Sequence, residues 1–420
     1  MIYKSYDCNT FNIHTIKTDK FRTCHIEIIF SKNIIKDKLS ETTMLCDFLG
    51  EVSKKYPTRR DVMIRLEELY KTSFYSLCSK VGKVINSTFV LDFVDPRFIK
   101  DKNYLENVIK FPFEMIENPL VKNNEFSIEY FHILQDRLIR DLNSLEEDSV
   151  KMVCRKSLEA MDKNSYSALF STGTIEEIKK ITPSSLYKAY QDFFKDNVCN
   201  IFVIGSLDMD KVVNLIKKYY HNRIICDTKL DFYVHNKLPL KEKLFSVKGN
   251  FIQANISMIF GFTSISKREK DIIIHVLNYI LGNGGLTSKL YKKVREENSL
   301  CYAINSMFLK YDNLLMVQSS LENKDIKKAC NLIKKCIKDI AKGNFTKEDL
   351  ENAKNNLIIS LKMCGDNNVA LINNYVFNIL DDFPRIDDRV KMYESVTKEE
   401  IVKLAKKIKI NTTFILKGVN

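Results

Sequence analysis

Two segments of the chain alternate apolar and polar residues with the period of two that is typical of half-buried β-strands. They are TCHIEIIF at residues 23–30 and ANISMIFGF at residues 254–262. Each is followed by a segment with helical spacing, near residues 41–49 in the first case and at residues 270–281 (KDIIIHVLNYIL) in the second. The same order of strand and helix, found twice, predicts an α+β fold.

The clearest helical pattern covers residues 323–342. Its apolar residues recur at steps of three and four, and Gly343 follows where the helix is expected to end. These apolar positions are Ile326, Cys330, Ile333, Ile337 and Ile340. The segment is therefore predicted to bury one face against a core.

The two halves of the chain also end in the same way. Thr182 precedes Pro183 at a predicted helix start, and the apolar strand VCNIFVIG follows that helix. In the second half, Thr397 and Glu400 form a predicted capping box, and the strand TTFILKG follows. The repeat predicts two homologous domains, each a mainly antiparallel sheet with helices packed on one face. We place the first domain at residues 1–228, a linker at 229–242 and the second domain at 243–420.

Composition narrows the class of protein. The 420 residues carry a net charge of +13, but the lysines are interleaved with acids, as in KKVREEN, and no nucleic-acid-reading motif accompanies them. We therefore predict no nucleic-acid partner. The chain has no apolar run of roughly 18 residues, which predicts no membrane span. The eleven cysteines include no Cys-x-x-Cys pair and the amino terminus has no secretory signal pattern, so we expect reduced thiols and a cytoplasmic location.

Residues 281–306, LGNGGLTSKLYKKVREENSLCYAINS, combine a glycine turn, an amphipathic helix and a polar pair, Arg295 and Tyr302. Spacing alone leaves two explanations open. Arg295 is explained either as a binding residue or as a surface residue that pairs with Glu296 or Glu297, and Tyr302 either as a ligand contact or as a half-buried strand aromatic.

Together with the preceding helix, this stretch resembles the second-domain signature of the insulinase/pitrilysin-type zinc metallopeptidases. ITPSSLYKAYQDFF at residues 181–194 resembles the end of that family's first domain. The resemblance implies that the chain forms half of a clam-shell peptidase chamber built from two such two-domain units. It also implies that a catalytic unit would carry His-x-x-Glu-His, in which two imidazoles four residues apart bind zinc and the Glu acts as general base.

The corresponding helix of this chain reads SETTMLCDFLGEV and contains no histidine. The six histidines of the chain never stand four residues apart. The carboxylates on the later helix, Glu129, Asp136 and Asp141, are interpreted as solvated acids. We therefore predict no metal site and no cofactor in this chain, with zinc expected in a partner chain. An independently active metalloenzyme with unusual ligands is the least favoured alternative.

The resemblance further implies roles for individual residues. Arg295 and Tyr302 match a pair that donates hydrogen bonds to the substrate carbonyl as it becomes an oxyanion. Gly284 and Gly285 correspond to a loop that contacts substrate peptide in related non-catalytic chains. The family often has Gly where this chain has Ser299. This difference concerns the backbone angles of the turn, because glycine adopts conformations that serine rarely does.

These observations lead to one hypothesis and one alternative. The hypothesis is the non-catalytic subunit of a bacterial, cytoplasmic, two-chain insulinase-like peptidase. Such a subunit pairs as a heterodimer with a homologue that carries His-x-x-Glu-His and zinc, closes the chamber and helps to bind and process peptides. The alternative is a proteolytically inactive scaffold or core protein with the same fold.

Overall fold

The computed structural model describes residues 1–222 and 224–419, which divide into two compact units. The first unit comprises Met1–Leu142, Phe170–Phe232 and Cys364–Val376. The second comprises Asn143–Leu169, Tyr233–Met363 and Phe377–Asn420. Each unit therefore includes a segment from the opposite half of the sequence. The predicted domain boundaries, which concern the two sequence repeats, stay a prediction.

The first unit is built on a six-stranded sheet in the order β1-β2-β8-β3-β5-β4. All neighbouring pairs are antiparallel except β2 and β8, which are parallel. Two further short strands form a separate hairpin. The strands are β1 (Ile2–Asp7), β2 (Asn12–Lys17), β3 (Thr23–Asn33), β4 (Ser73–Val81), β5 (Val84–Val94), β6 (Val121–Lys122), β7 (Glu125–Phe126) and β8 (Val198–Gly205).

The second unit has a five-stranded sheet in the order β11-β12-β10-β13-β9. Here the single parallel pair is β13 with β9. The strands are β9 (Lys243–Lys248), β10 (Ala254–Phe262), β11 (Cys301–Leu309), β12 (Leu314–Leu321) and β13 (Ile408–Lys417). The predicted α+β class with two mainly antiparallel sheets is confirmed.

Helices follow or separate the strands in both units. They are α1 (Leu39–Glu51), α2 (Arg59–Glu68), α3 (Tyr104–Glu117), α4 (Ile128–Glu147), α5 (Ser149–Met161), α6 (Ile175–Lys180), α7 (Pro183–Asp196), α8 (Met209–Tyr219), α9 (Ile274–Asn278), α10 (Ile326–Ala341), α11 (Lys347–Cys364), α12 (Asn368–Asp381), α13 (Ile386–Glu394) and α14 (Lys398–Lys407). In the described part of the chain, wider, π-helical turns lie at Glu269–Ile273, Tyr279–Asn283 and Tyr291–Glu296. The first two extend α9 at both ends.

Local sequence explains where the repeated helices begin. Thr182 accepts a hydrogen bond from the backbone N–H of Ser185 at the start of α7, and Pro183 occupies the first helical position. Thr397 and Glu400 form the predicted capping box at the start of α14. Both caps satisfy N–H groups that have no partner inside the helix.

The alternation in β3 separates an apolar face of the first sheet from a polar one. Ile26 and Ile28 are buried on the same face as Phe30, whose ring contacts that of Phe193 in α7. His25 and the next residue on its face, a glutamate, point the other way. The helical layer therefore packs on the apolar face.

The second sheet is covered on both faces. On one face, Ile256 and Met258 of β10 join a core with Ile333 and Ile337 of α10. On the other face, α5 packs across β10 and β13, where its Val153 contacts strand residues of the sheet. Although α5 precedes the linker in sequence, it belongs to the second unit, and the start of α12 belongs in turn to the first unit.

Candidate functional site

The glycine turn of the second unit is held by its own backbone. A side chain at Gly282 would lie 2.5 Å from the Ser306 hydroxyl, so this position requires glycine. The N–H of Gly284 donates to the Tyr279 carbonyl at 3.0 Å, and the Gly285 carbonyl accepts from Ser288. Gly285 has φ of +57° and an open space beside its Cα. Both predicted substrate-binding glycines form the turn, and their contact with peptide stays a prediction.

A π-helical segment after the turn presents Arg295. Its bonding is i to i+5, as in the 2.9 Å bond from the Glu297 N–H to the Lys292 carbonyl. Val294 is fully buried and anchors the segment, while Arg295 is half-buried. Single π-helical turns occur frequently at functional sites because they displace side chains from the regular helical positions.

The guanidinium of Arg295 lies between two tyrosine rings. Its central carbon is 4.8 Å from the ring centre of Tyr291 and 5.0 Å from that of Tyr302. Glu297 pairs with Lys293 instead. Across residues 1–222 and 224–419, no carboxylate forms an ion pair with Arg295. The cation is therefore positioned by aromatic faces and keeps its N–H donors available.

Tyr302 protrudes from the edge of the second sheet. β11 pairs with β12 at Cys301 and again at Ala303, and the register shifts between these two residues, which leaves Tyr302 in a β-bulge. Its side chain is 77% exposed. Bulges next to sites of binding or catalysis re-aim a side chain out of the strand. The pair singled out from the sequence is thus brought together on the surface of the second unit.

Tyr291 is the member of this group that sequence reasoning missed. It stands four residues before Arg295, which places it on the same helix face. The four-residue spacing could have indicated the contact between Tyr291 and Arg295. It does not show whether the guanidinium packs against this ring or extends away from it.

The helix α1 corresponds to the helix that carries His-x-x-Glu-His in the family that the sequence resembles, and its side chains have other partners. Thr43 is buried and donates to the Ser171 carbonyl at 2.6 Å. Cys46 is buried too, and burial raises the pKa of its thiol well above the usual value. Within the described residues, no group of three His, Cys, Asp or Glu side chains is arranged to hold a metal ion.

An ion-pair network lies at the end of α1. Asp47 and Glu51 stand four residues apart and both bind the guanidinium of Arg137 on α4. The Asp47 carboxylate is 3.2 Å from that guanidinium, and Glu51 also accepts a hydrogen bond from Tyr130. Arg59 lies 3.7 Å from Glu51. Two carboxylates on one helix face thus converge on a cation supplied by the protein itself.

Burial changes the ionisation of Asp47 in this network. It raises the pKa of Asp47 to about 6, although Arg137 acts in the opposite direction. The four-residue spacing of Asp47 and Glu51 is visible in the sequence, but it does not reveal Arg137 as their shared partner. Glu129, Asp136 and Asp141 on α4 are exposed, as predicted for solvated acids.

A second charged group is buried on the polar face of the first sheet. The ring of His25 contacts Asp92 at 2.7 Å through Nδ1 and Glu27 at 2.9 Å through Nε2. Burial lowers the pKa of His25, but the two carboxylates outweigh it and raise the pKa to about 9. The imidazole is therefore charged near neutral pH and is not available as a metal ligand.

Comparison with known proteins identifies the class of protein that this chain resembles. A family model described as "Peptidase M16 inactive domain" matches residues 180–357, which include the glycine turn, Arg295 and Tyr302. The chain is therefore a homologue of the M16 peptidases, the insulinase/pitrilysin type, which confirms the resemblance read from the sequence.

Individual relatives cover nearly all of the chain or all of it. A Bacillus subtilis (strain 168) protein described as "Probable inactive metalloprotease YmfF" is 27% identical over 429 residues, 96% of this chain and 95% of its own. A conserved protein from Enterococcus faecalis V583 superposes with a TM-score of 0.92 at 22% identity, over 99% of this chain and 98% of that one. The peptidase M16 inactive domain from Pseudomonas fluorescens superposes with a TM-score of 0.82 at 14% identity, over 100% and 99%.

The structure also bears on the prediction about membranes. In the part of the chain described, no helix combines the length and the apolar character needed to cross a bilayer.

Proposed function

We propose that this chain is the non-catalytic subunit of a two-chain M16-type peptidase in the cytoplasm. In this proposal a homologous chain with His-x-x-Glu-His supplies the zinc and the general base. The present chain closes the chamber, helps to bind peptide, and offers Arg295 and Tyr302 to the carbonyl oxygen that becomes an oxyanion.

The observation that carries the proposal is the half-buried cation of Arg295, which lies between two tyrosine rings and forms no ion pair with a carboxylate among the described residues. A guanidinium next to a phenol is suited to a developing negative charge, because both groups donate hydrogen bonds and one is permanently charged. Aromatic faces hold the guanidinium without using its N–H groups, so it is pre-organised for an oxygen atom that arrives from outside the chain.

The first unit supports the non-catalytic part of the proposal. Arg137 supplies positive charge to Asp47 and Glu51, so these carboxylates are already satisfied by a side chain of the protein. A zinc ion at this position would have to displace the guanidinium. This arrangement also favours the alternative function, a proteolytically inactive scaffold, which needs no metal in either chain.

The proposal is tested by mixing the purified chain with its candidate zinc-bearing homologue and following cleavage of a fluorogenic peptide. Size-exclusion chromatography first shows whether the two chains form a complex. Arg295→Ala and Tyr302→Phe should each lower kcat by about 10²–10³-fold while the complex still forms, because each removes one oxyanion donor. Lys293→Ala is the matched control, since Lys293 lies on the same segment and forms an ion pair with Glu297.

The outcomes separate the two functions. Undiminished cleavage in the Arg295→Ala, Tyr302→Phe double variant would show that the assigned roles are wrong. A stable complex that cleaves no peptide at any zinc concentration would support the scaffold instead.

A further inference from the structure

We propose that the outer edge of β9 accepts an extended segment of a different polypeptide as a sixth strand of the second sheet. The segment would alternate apolar residues and carry an acidic residue near one end. The inference does not depend on the roles proposed for Arg295 and Tyr302, which lie at the opposite edge of that sheet.

The internal repeat defines the vacant position. The order β2-β8-β3-β5-β4 in the first sheet corresponds to β9-β13-β10-β12-β11 in the second, and the parallel pair comes first in each. In the first sheet, β1 covers the outer edge of β2 with six antiparallel pairs, from Ile2 with Lys17 to Asp7 with Asn12. Among residues 1–222 and 224–419, no strand takes the place of β1 beside β9. The second sheet therefore has five strands where the first has six.

The exposed edge has little protection against pairing apart from Lys248 at its carboxyl end. All six residues of β9 are exposed, and Leu244 is 67% exposed. Edge strands are normally blunted by charged side chains, prolines or bulges. The Lys243 ammonium, which could serve that purpose, is turned inward and donates to the Met161 carbonyl at 2.7 Å. The edge thus offers a row of backbone groups flanked by apolar side chains.

Both faces of β9 have apolar surface for an added strand. Phe245 and Val247 stand beside Phe414 and Leu416 of β13, on the face that packs against α5. Leu244 lies on the other face, since neighbouring residues of a strand point to opposite sides. An added strand with alternating residues would place its apolar side chains beside Phe245 and Val247, and its remaining side chains on the face of Leu244 and Lys248.

The positive charge at the end of β9 favours a partner segment with an acidic residue. Lys248 stands directly beside Lys417, and both side chains are exposed. Like charges in this position repel, and neither lysine is paired with a carboxylate in the part of the chain that is described. An acidic residue opposite Lys248 would relieve that repulsion. A second copy is disfavoured because each chain carries a net charge of +13.

The test uses an acetylated octapeptide, EVEVTVEV, and its basic counterpart, KVKVTVKV, with the full-length chain. Hydrogen exchange measured by mass spectrometry reports which strand binds. The acidic peptide should slow exchange in residues 243–248 on the order of tenfold, because the outward N–H groups of β9 become hydrogen-bonded. Exchange at residues 2–7, 73–81 and 301–309, the other edges of the two large sheets, should stay unchanged.

Two variants locate the interaction. Lys248→Glu should abolish protection by the acidic peptide and allow protection by the basic one, while Asn305→Lys on β11 should leave both unaffected. Lys248 is exposed, so its replacement is expected to leave folding intact, and circular dichroism checks this. No protection of residues 243–248 by the acidic peptide, or protection only at another edge, would overturn the proposal. A concentration-dependent dimer that protects residues 243–248 without peptide would also overturn it, since the occupant would then be a second copy.

Discussion

Ser299 ends the segment that carries Arg295, and its backbone has φ of +52°. Its N–H donates to the Arg295 carbonyl at 2.8 Å, and the next N–H, of Leu300, reaches the Val294 carbonyl at 3.1 Å. The left-handed conformation brings the Cβ of a non-glycine residue close to its carbonyl oxygen, at a cost of about 1–2 kcal/mol. Ser299→Gly should therefore raise the free energy of unfolding by about 1 kcal/mol, measured by urea denaturation.

The matched variant is Ser299→Ala, which keeps a Cβ and therefore keeps the strain. It should not be more stable than the native chain. Equal stability of the glycine and alanine variants would show that φ at this position carries no cost.

His25 makes stability depend on pH. Its pKa is raised to about 9 by its carboxylate neighbours, against an ordinary value of 6.5. The folded state therefore binds the proton more tightly, and this contribution is complete below pH 6.5 and is lost as the pH rises through 9. The free energy of unfolding should fall by about 1–3 kcal/mol between pH 6.5 and 9.

His25→Asn should be less stable near neutral pH and should flatten that dependence. The exposed His221, which pairs with Glu117 at 2.9 Å, supplies the control variant His221→Asn. An unchanged pH profile in His25→Asn would contradict the assignment of the charge to this residue.

The functional and charged residues differ in how far the sequence alone could predict them. Arg295 and Tyr302 stand within one continuous motif, so they could be singled out. His25 appears in the sequence as one polar residue of an alternating strand. Its charge depends on Asp92, which lies 67 positions away and comes opposite only when β3 and β5 pair.

At the scale of elements, Arg137 joins α4 to α1. Arg137→Met would leave Asp47 and Glu51 with less compensation, although both are partly exposed. We expect a loss of about 2 kcal/mol in the free energy of unfolding at pH 8, measured by chemical denaturation. The loss should shrink below pH 6, because Asp47 has a raised pKa of about 6 and can take up a proton there.

The triple variant Asp47→Asn, Glu51→Gln, Arg137→Met removes all three charges together. It should recover much of that loss and abolish its pH dependence. If the triple variant is as unstable as Arg137→Met, the loss comes from packing and not from uncompensated charge.

Several helices and strands could be predicted from the sequence. The helices α10 and α14 and the strand β13 were predicted because their apolar periods and capping residues agree. The π-helical turns were not, since bonds from i to i+5 shift side chains away from the spacing of a regular helix. The placement of α5 on the second sheet also could not be read, because an amphipathic helix does not reveal which sheet its apolar face will meet.

At the scale of the whole molecule, the first quantity to measure is zinc. The isolated chain should bind no stoichiometric zinc and cleave no peptide, because His-x-x-Glu-His is absent from its sequence. Metal and activity should appear together when the His-x-x-Glu-His partner is added, measured by metal analysis of the isolated complex. Stoichiometric zinc in the chain alone would contradict both the proposed subunit and the scaffold.

The overall class was predictable because the same order of elements occurs twice. The composition of the two units was not, since both α5 and the beginning of α12 join the unit formed mainly by the other half of the chain. Periodicity describes each element separately, whereas the assignment of a helix to a sheet depends on contacts between residues that are far apart in sequence.

The position of Cys364–Val376 in the first unit has a consequence for synthesis. Leu371 and Ile372 in this segment are almost completely buried. Ribosomes add about 5–20 residues per second, so the first unit has to wait on the order of ten seconds between the emergence of Phe232 and that of its final segment. During this interval it is incomplete, and its unfilled apolar surface is open to chaperones or to misassembly. A nascent chain halted before residue 364 should therefore be captured by a general chaperone, although more than two hundred residues of the first unit have already been made.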